Sequence, residues 1–312
     1  MNGQAAPHAV CPDCHADLAV VDTDGRRCLG CGAVFPQRAE VPVLLSDAEW
    51  HACRARYEGE KEILEQYEFA RRQVPLTVMY YDWWIARLLG EIPSTYHGPL
   101  VELMCGGAEV CRRLPARFPS AFALDVDVRM LEHAARDLTV AGERRVTLVC
   151  GTAARLPLPD ACTGAVVVQG ALHHARPLLS RVLAEIHRVL TPGGVFVGSE
   201  PANDHALTRA IRHWQYRRSH LQGNDPEEDG FSRAELDTLL ASSGLRLDRY
   251  RQFGFIAYPL MGNTDELRLL ARVRSLGLGR FLLALDERLE RVPFVRDLAW
   301  ASLVRAFKNR ED

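Results

Sequence analysis

From residue 100 onward, short apolar runs alternate with stretches whose apolar residues recur at helical spacing. Apolar runs bounded by breakers read as buried strands, and strands separated by helical patterns imply a parallel sheet with crossover helices. Val101-Glu-Leu-Met-Cys-Gly-Gly-Ala108 reads as a buried strand running into a glycine-bearing turn, with a helical pattern over 109–117 behind it. Further strands are predicted over 121–125, 145–150, 164–169 and 194–198, then 245–251, with a last one at about 298–307. Residues 182–190 form an amphipathic pattern stopped by Thr191-Pro-Gly-Gly194, because proline cannot continue a helix and glycine takes a left-handed exit. Ser232 and Glu235 have capping-box spacing at the head of a helix that ends at Gly244.

Before residue 100 the pattern differs. Residues 33–45 read as two short strands, residues 46–92 as helix, and residues 93–99 as a linker. Trp50, Tyr57, Tyr67, Phe69, Tyr80, Tyr81, Trp83 and Trp84 crowd the helical part. Such rings either pack a helical cap on the next domain or line a substrate pocket, and core packing is the commoner fate. The division expected is 1–46, 47–96 and 97–312, with a helical insertion at about 253–297.

Cys11-Pro-Asp-Cys14 and Cys28-Leu-Gly-Cys31 are two CxxC pairs with 13 residues between them. Each pair can form a tight turn offering two thiolates, and two such turns close a tetrahedral site. Cys11, Cys14, Cys28 and Cys31 are therefore candidate ligands of a structural Zn2+, with Gly30 and Gly32 suited to turns of positive φ. Cys11 to His15 also spells a haem-attachment pattern, which would leave the second pair unexplained. A redox CxxC needs a thioredoxin-like context that is missing here, and chance spacing is the remaining alternative.

Composition narrows the function classes. A chain of 312 residues with net charge −2 has no overall field favouring nucleic acid or an anionic membrane, although a local basic patch is compatible with it. Lysine occurs twice among 38 basic residues, which reads as the codon bias of a GC-rich bacterial genome. No basic-then-apolar leader and no run of membrane-spanning length is present, so a cytoplasmic location is expected, where the nine cysteines are reduced.

The ordered set Glu-Leu-Met-Cys-Gly-Gly, Ala-Leu-Asp-Val-Asp, Gly-Thr-Ala-Ala-Arg-Leu-Pro-Leu-Pro-Asp160, Gln-Gly-Ala-Leu-His-His174 and Glu185-Ile-His-Arg-Val-Leu-Thr-Pro-Gly-Gly194 resembles class I S-adenosylmethionine (SAM)-dependent methyltransferases. Within them it is most similar to the small-molecule and quinone branch, over about residues 97–252. The cysteines with Phe35-Pro36 and Val41-Pro-Val-Leu-Leu45 resemble zinc-ribbon modules that precede or partner with some methyltransferases. The fold implied is α/β: a doubly wound, mostly parallel Rossmann-like sheet with an N-terminal zinc ribbon and a helical cap and insertion.

The resemblance also implies roles. Glu102 would help hold the methionine ammonium, through water or a backbone neighbour, and Cys105 and Gly106 would let the backbone approach the methionine. Asp125 would grip the ribose, Val126 and Met130 would flank the adenine, Thr152 and Ala153 would lie in the adenine loop, and Gln169 would lie under the sulfonium. Met104 and Ala108 replace glycines of the usual turn, Thr152 replaces an aspartate, and Gly164 stands where an aspartate commonly precedes the fourth strand. His173 and His174 follow that strand as candidate general bases, with Glu200 after the fifth strand as the carboxylate that would orient one of them.

The expected activity is methyl transfer to O, N or C of a small molecule, in bacterial specialised metabolism. One alternative is a methyltransferase-like protein that performs cyclisation or elimination or scaffolds a partner subunit. Another is an RNA base methyltransferase, which the charge balance disfavours. A homo-oligomer or a partner subunit is compatible with the chain. Arg209, Arg212, Trp214, Tyr216, Arg217 and Arg218 would form either a lid for an anionic group or a solvated face. Arg268, Arg272, Arg274, Arg280 and Arg288 would lie on a basic amphipathic helix pair, covering the pocket, forming a subunit interface or touching a membrane surface.

Overall fold

The structure is a computed structural model that describes residues 7–21, 25–58, 68–218, 229–262, 273 and 275–311. At the N-terminus β1 (Leu18–Val21), β2 (Gly25–Cys28), β3 (Val34–Arg38) and β4 (Val41–Pro42) form an antiparallel sheet in chain order. The β3–β4 connection is a two-residue loop with positive φ at both Ala39 (44°) and Glu40 (69°), which matches the twist of a tight hairpin. Helix α1 (Asp47–Glu58) starts on a complete capping box: Ser46 Oγ accepts from the Glu49 N–H, and Glu49 Oε2 accepts from the Ser46 N–H. Residues 68–73 are helical and lead into α2 (Pro75–Gly90), where Pro75 sits in the first turn and its missing N–H costs nothing.

The main sheet contains β5 (Leu100–Leu103), β6 (Ala121–Asp125), β7 (Val146–Cys150), β8 (Thr163–Gln169), β9 (Leu190–Pro201), β10 (Leu245–Phe253) and β11 (Ala301–Lys308). Its order is β10-β11-β9-β8-β5-β6-β7, with β5 to β9 parallel and β11, between β9 and β10, antiparallel to both, so that β10 runs in the direction of the first five. The chain therefore reverses its direction of winding between β5 and β8, where open sheets of this kind hold their ligands. The helices are α3 (Val128–Ala141), α4 (Leu179–Val189), α5 (Ala206–Arg218), α6 (Arg233–Ser242) and α7 (Leu276–Leu289).

Strand alternation separates two cores. Leu100, Ala165, Val167, Val195 and Val197 face α2 and α3 through Tyr80, Leu88, Leu131 and Ala134. Val101, Val166, Val168 and Phe196 face the opposite side with Leu183, Ile186 and Leu240 of α4 and α6. Cys11, Cys28, Phe35 and Leu44 of the N-terminal sheet belong to this second core. That sheet is docked by backbone as well: Leu44 N–H donates to Cys150 O (2.7 Å), Val10 N–H donates to Pro157 O (3.0 Å), and Val43 bridges Cys150 in parallel.

Two local expectations are corrected. The helix expected over 109–117 is a single 3-10 turn, Cys111–Arg113. The Glu102 carboxylate captures the Val110 and Cys111 N–H groups, and Leu114, ahead of Pro115, is extended (φ −63°, ψ 113°). Thr191-Pro-Gly-Gly194 is not a glycine exit either: α4 ends at Val189, Leu190 is already extended, and these residues lie within a longer β9. Among the described residues no helix is long and apolar enough to cross a membrane.

Candidate functional site

The turn after β5 is held by three left-handed residues, Met104 (φ 52°), Gly106 (φ 50°) and Ala108 (φ 55°). Only glycine adopts this conformation freely; at Met104 and Ala108 it costs of order 1–2 kcal/mol each. Thus the two glycine replacements leave the left-handed backbone in place. The Gly106 N–H donates to Asp125 Oδ2 (2.7 Å) at the end of β6, and Asp125 Oδ1 accepts from the Asp127 N–H (2.9 Å). Burial raises the Asp125 carboxyl above its usual range, against the pull of these N–H groups. Met130 packs near Gly106, and Val126 O accepts from the Cys150 thiol (3.4 Å). Cys105 is buried, and burial pushes its thiol well up.

Glu102 is 1% exposed, with one oxygen on the Val110 N–H (3.1 Å) and the other on the Cys111 N–H (2.8 Å). Its carboxylate clamps the far side of the turn. Burial lifts it to about 7 despite those N–H groups.

Across the switch point, β8 ends at Gln169, whose Nε2 is buried without a hydrogen-bond partner among the described residues. Gly170 follows with φ 62°, and its N–H donates to Ser199 O (2.6 Å). The Trp84 ring edge lies 3.6 Å from where a Gly170 Cβ would stand, and Trp84 Nε1 donates to Ser199 Oγ (2.9 Å). The crowded aromatics are thus divided: Tyr80, Tyr81 and Trp84 are core, while Trp84 also walls the ends of β8 and β9. Tyr67 and the side chain of Tyr57 lie outside the described residues.

His173 and Glu200 meet in the same region. His173 Nδ1 lies 2.8 Å from Glu200 Oε2, and both side chains are buried. Glu200 also accepts the Ala171, Leu172 and His173 N–H groups at 3.0, 2.8 and 3.3 Å. The carboxylate therefore fixes the loop as well as the ring. His174 is exposed and its ring lies tilted (40°) against that of His173, with ring centroids 4.0 Å apart.

Thr152 Oγ1 accepts from the Ala154 N–H (3.2 Å), and Ala153 is buried in the second core. Gly164 has a physical reason: the Tyr96 ring lies 2.4 Å from any Cβ built there, and Tyr96 Oη accepts the Gly164 N–H. Arg212 is 3% exposed and donates to Ala202 O and Trp300 O, so it belongs to the framework. Trp214 is exposed, and the side chains of Tyr216, Arg217 and Arg218 lie outside the described residues. Arg268, Arg272 and Arg274 lie outside them too, whereas Arg280 and Arg288 are on α7. Buried Asp286 of α7 accepts from the Phe255, Ile256 and Ala257 N–H groups and so ties the insertion to the end of β10.

The four N-terminal cysteines converge, with all Sγ atoms within 4.8 Å of one another. Cys11–Cys31 is 3.7 Å and Cys14–Cys28 is 3.3 Å. A tetrahedral ion with metal–sulfur bonds of about 2.3 Å needs sulfurs about 3.8 Å apart, so the set fits. The Cys31 and Gly30 N–H groups point at Cys28 Sγ (both 3.3 Å), and the Cys31 N–H leads in lowering that thiol to about 6. Gly32 has the positive φ expected (77°), but Gly30 is required for space instead: a Cβ there would lie 2.7 Å from Ala16 Cβ.

Sequence reasoning missed Glu68, which belongs to no motif. It is 4% exposed, ion-paired with Arg72, and its oxygens lie 3.0 Å from where a Gly107 Cβ would stand. Burial pushes it up to about 7, against the attraction of Arg72. A carboxyl whose pKa is higher folded than unfolded binds its proton more tightly when folded. Its contribution to stability is full below about 4.5 and is lost as pH rises through about 7, a loss of roughly 3 kcal/mol for this shift. Glu68→Gln is therefore expected to lose less melting temperature between pH 5 and pH 8 than the parent chain. An equal or steeper drop in the variant would show that Glu68 is already ionised in the fold at pH 5.

Comparison with known proteins agrees with this architecture. Residues 101–198 match the methyltransferase-domain family. An uncharacterized chloroplastic methyltransferase of Arabidopsis thaliana is 34% identical over 108 residues, 33% of this chain and 30% of that protein. The match thus spans about a third of that relative's length. Phosphoethanolamine N-methyltransferase 2 of Haemonchus contortus, solved with phosphomonomethylethanolamine and S-adenosylhomocysteine, superposes with a TM-score of 0.56 at 15% identity, covering 86% of this chain and 62% of that one. A chain from the complex of the Haloferax volcanii Trm112 methyltransferase activator with a methyltransferase superposes with a TM-score of 0.53 at 16% identity, covering 82% and 97%. At such identities the structural likeness is one of fold, and that fold is the Rossmann-like methyltransferase fold.

Proposed function

We propose that this chain, through the methyltransferase domain it carries, is a SAM-dependent methyltransferase acting on O, N or C of a small molecule. The observation that carries this is the pairing of the left-handed Gly106 turn with Asp125 beside the switch point of the sheet. The unpartnered, buried Gln169 Nε2 at the end of β8 adds a polar group suited to a ligand there. When bound, SAM supplies a methyl group on a positively charged sulfonium. Asp125 has lone pairs beyond those used by Gly106 and Asp127 with which to accept ribose hydroxyls. Val126 and Met130 would flank the adenine, Thr152 and Ala153 would border it, and the Cys105-Gly106 backbone would lie along the methionine.

His173 is the proposed base. Glu200 holds the Nδ1 side of the ring, so Nε2 is the atom that takes a proton from a hydroxyl or amine, and the carboxylate stabilises the resulting imidazolium. His174, exposed beside it, is the second candidate. Trp84 excludes water from the strand ends, and positioning of the acceptor supplies the rest of the acceleration. Cys11, Cys14, Cys28 and Cys31 would hold Zn2+ with no open position, which makes the metal structural.

Calorimetric titration with SAM and with S-adenosylhomocysteine tests this. Both are expected to bind the zinc-loaded chain. Asp125→Ala is expected to weaken both by about a hundredfold, because two charge-assisted hydrogen bonds to the ribose disappear. Absence of binding to either ligand would rule the cofactor out. A variant that binds as tightly as the parent chain would remove Asp125 from the site.

A further inference from the structure

Helix α7 is apolar on two sides. Gly279, Leu283 and Asp286 face inward, where Leu283 joins the first core. Leu278, Phe281 and Leu285 recur at helical spacing on the other side, and Phe281 is 60% exposed. Leu276 is exposed in the first turn of the helix, and Val292 and Phe294 are exposed just beyond its last. Phe294 is 88% exposed at φ 69°, a backbone conformation that strains a bulky residue. A surface helix ordinarily keeps its outer side polar, so a second apolar stripe marks a contact surface.

Charge divides in the same way. Residues 275–298 carry four arginines and four carboxylates. Asp286 is buried on the Phe255, Ile256 and Ala257 N–H groups. Glu287 accepts from Trp83 Nε1 (2.9 Å) and lies 4.0 Å from Arg87 of α2, and Glu290 pairs with the same arginine (2.6 Å). Asp297 lies 3.7 Å from Arg296. Arg280, Arg288 and Arg291 are exposed and meet no carboxylate among the described residues. The segment is neutral, yet its outer surface is basic.

We propose that this face docks peripherally on a bilayer carrying anionic lipids. Phe281 and Phe294 enter the headgroup boundary, and Arg280, Arg288 and Arg291 meet lipid phosphates. Both rings project from the surface, and a bilayer receives projecting side chains without a complementary pocket. A second copy fits worse, because a two-fold interface would bring both sets of three arginines into one contact. Asp286 fastens α7 to the residues after β10, which runs in the direction of β5 to β9, so α7 is anchored at the same strand ends as the candidate site. Docking does not depend on the cofactor assigned to that site.

Co-sedimentation of the zinc-loaded full chain with phosphatidylcholine vesicles, with and without phosphatidylglycerol, tests this. Binding is expected to be at least about tenfold tighter with the anionic lipid and to weaken as salt rises. Phe294→Gly is expected to weaken it at least about tenfold, the loss of one inserted phenyl ring. Its melting temperature should be no lower than that of the parent chain, because glycine adopts this φ freely. Arg288→Gln combined with Arg291→Gln is expected to weaken binding to the anionic vesicles about twentyfold. Absence of binding to those vesicles, or binding that both variants keep in full, would overturn the proposal. So would a concentration-dependent dimer in light scattering that Phe294→Gly dissolves, which would assign the face to a second copy.

Discussion

Stripping the metal from Cys11, Cys14, Cys28 and Cys31 is expected to unfold the N-terminal sheet and to weaken S-adenosylhomocysteine at least about tenfold. Structural zinc contributes an apparent 10–16 kcal/mol or about that in small finger peptides, far more than four strands of two to five residues supply by themselves. The second effect follows from where the sheet docks. Leu44 donates to Cys150 O on one side of the proposed adenine loop and Val10 to Pro157 O on the other, so residues 151–156 are bracketed by the ribbon. Arg155, inside that bracket, pairs with Asp13 of the first CxxC turn and with Glu49 of the α1 capping box (2.5 Å). Loss of the metal should therefore release the loop as well as the ribbon. Metal release by a chelator, followed by circular dichroism, amide exchange over residues 150–156 and calorimetry, measures each part. Unchanged exchange and unchanged affinity in the metal-free chain would show that the ribbon is an independent module.

Glu200→Ala is expected to destabilise the chain by about 3–5 kcal/mol and to abolish activity, whereas His173→Ala should abolish activity at about half that stability cost or less. The difference lies in what each substitution leaves behind. Alanine at 200 strands three buried backbone N–H groups and the His173 ring nitrogen together. Alanine at 173 removes the ring and leaves the carboxylate its three backbone donors. Urea denaturation gives the two stabilities, and transfer of labelled methyl groups to an acceptor gives the activities. A Glu200→Ala variant as stable as His173→Ala would mean that water replaces the carboxylate, and that the loop does not depend on it.

Much of the sheet was legible because its signals are local. The apolar runs at 121–125 and 164–169 form strands almost as expected, and Ser232 caps α6 as its spacing with Glu235 implied. Reading the turn was harder. The helical pattern over 109–117 competes with a buried carboxylate eight residues upstream and with Pro115, and the pattern loses. Glu102 was expected to act near the methionine ammonium through water or a backbone neighbour, and the fold sets its two oxygens on backbone N–H groups of the turn. Glu68 carries no motif, and only the packing of residues 68–73 against Gly107 marks it out.

By itself, the sequence determined the order of the strands of the main sheet, the two CxxC turns and the small-residue turn after β5. Each of these depends on residues a few positions apart, through side-chain periodicity, backbone freedom and ligand spacing. Only the tertiary structure decided that Glu102 clamps the backbone of the turn, that Trp84 walls the strand ends, and that the ribbon braces the loop after β7. Those outcomes depend on burial and on partners far apart in sequence, because removing a charge from water makes its energy depend on whichever donor or cation the fold brings beside it.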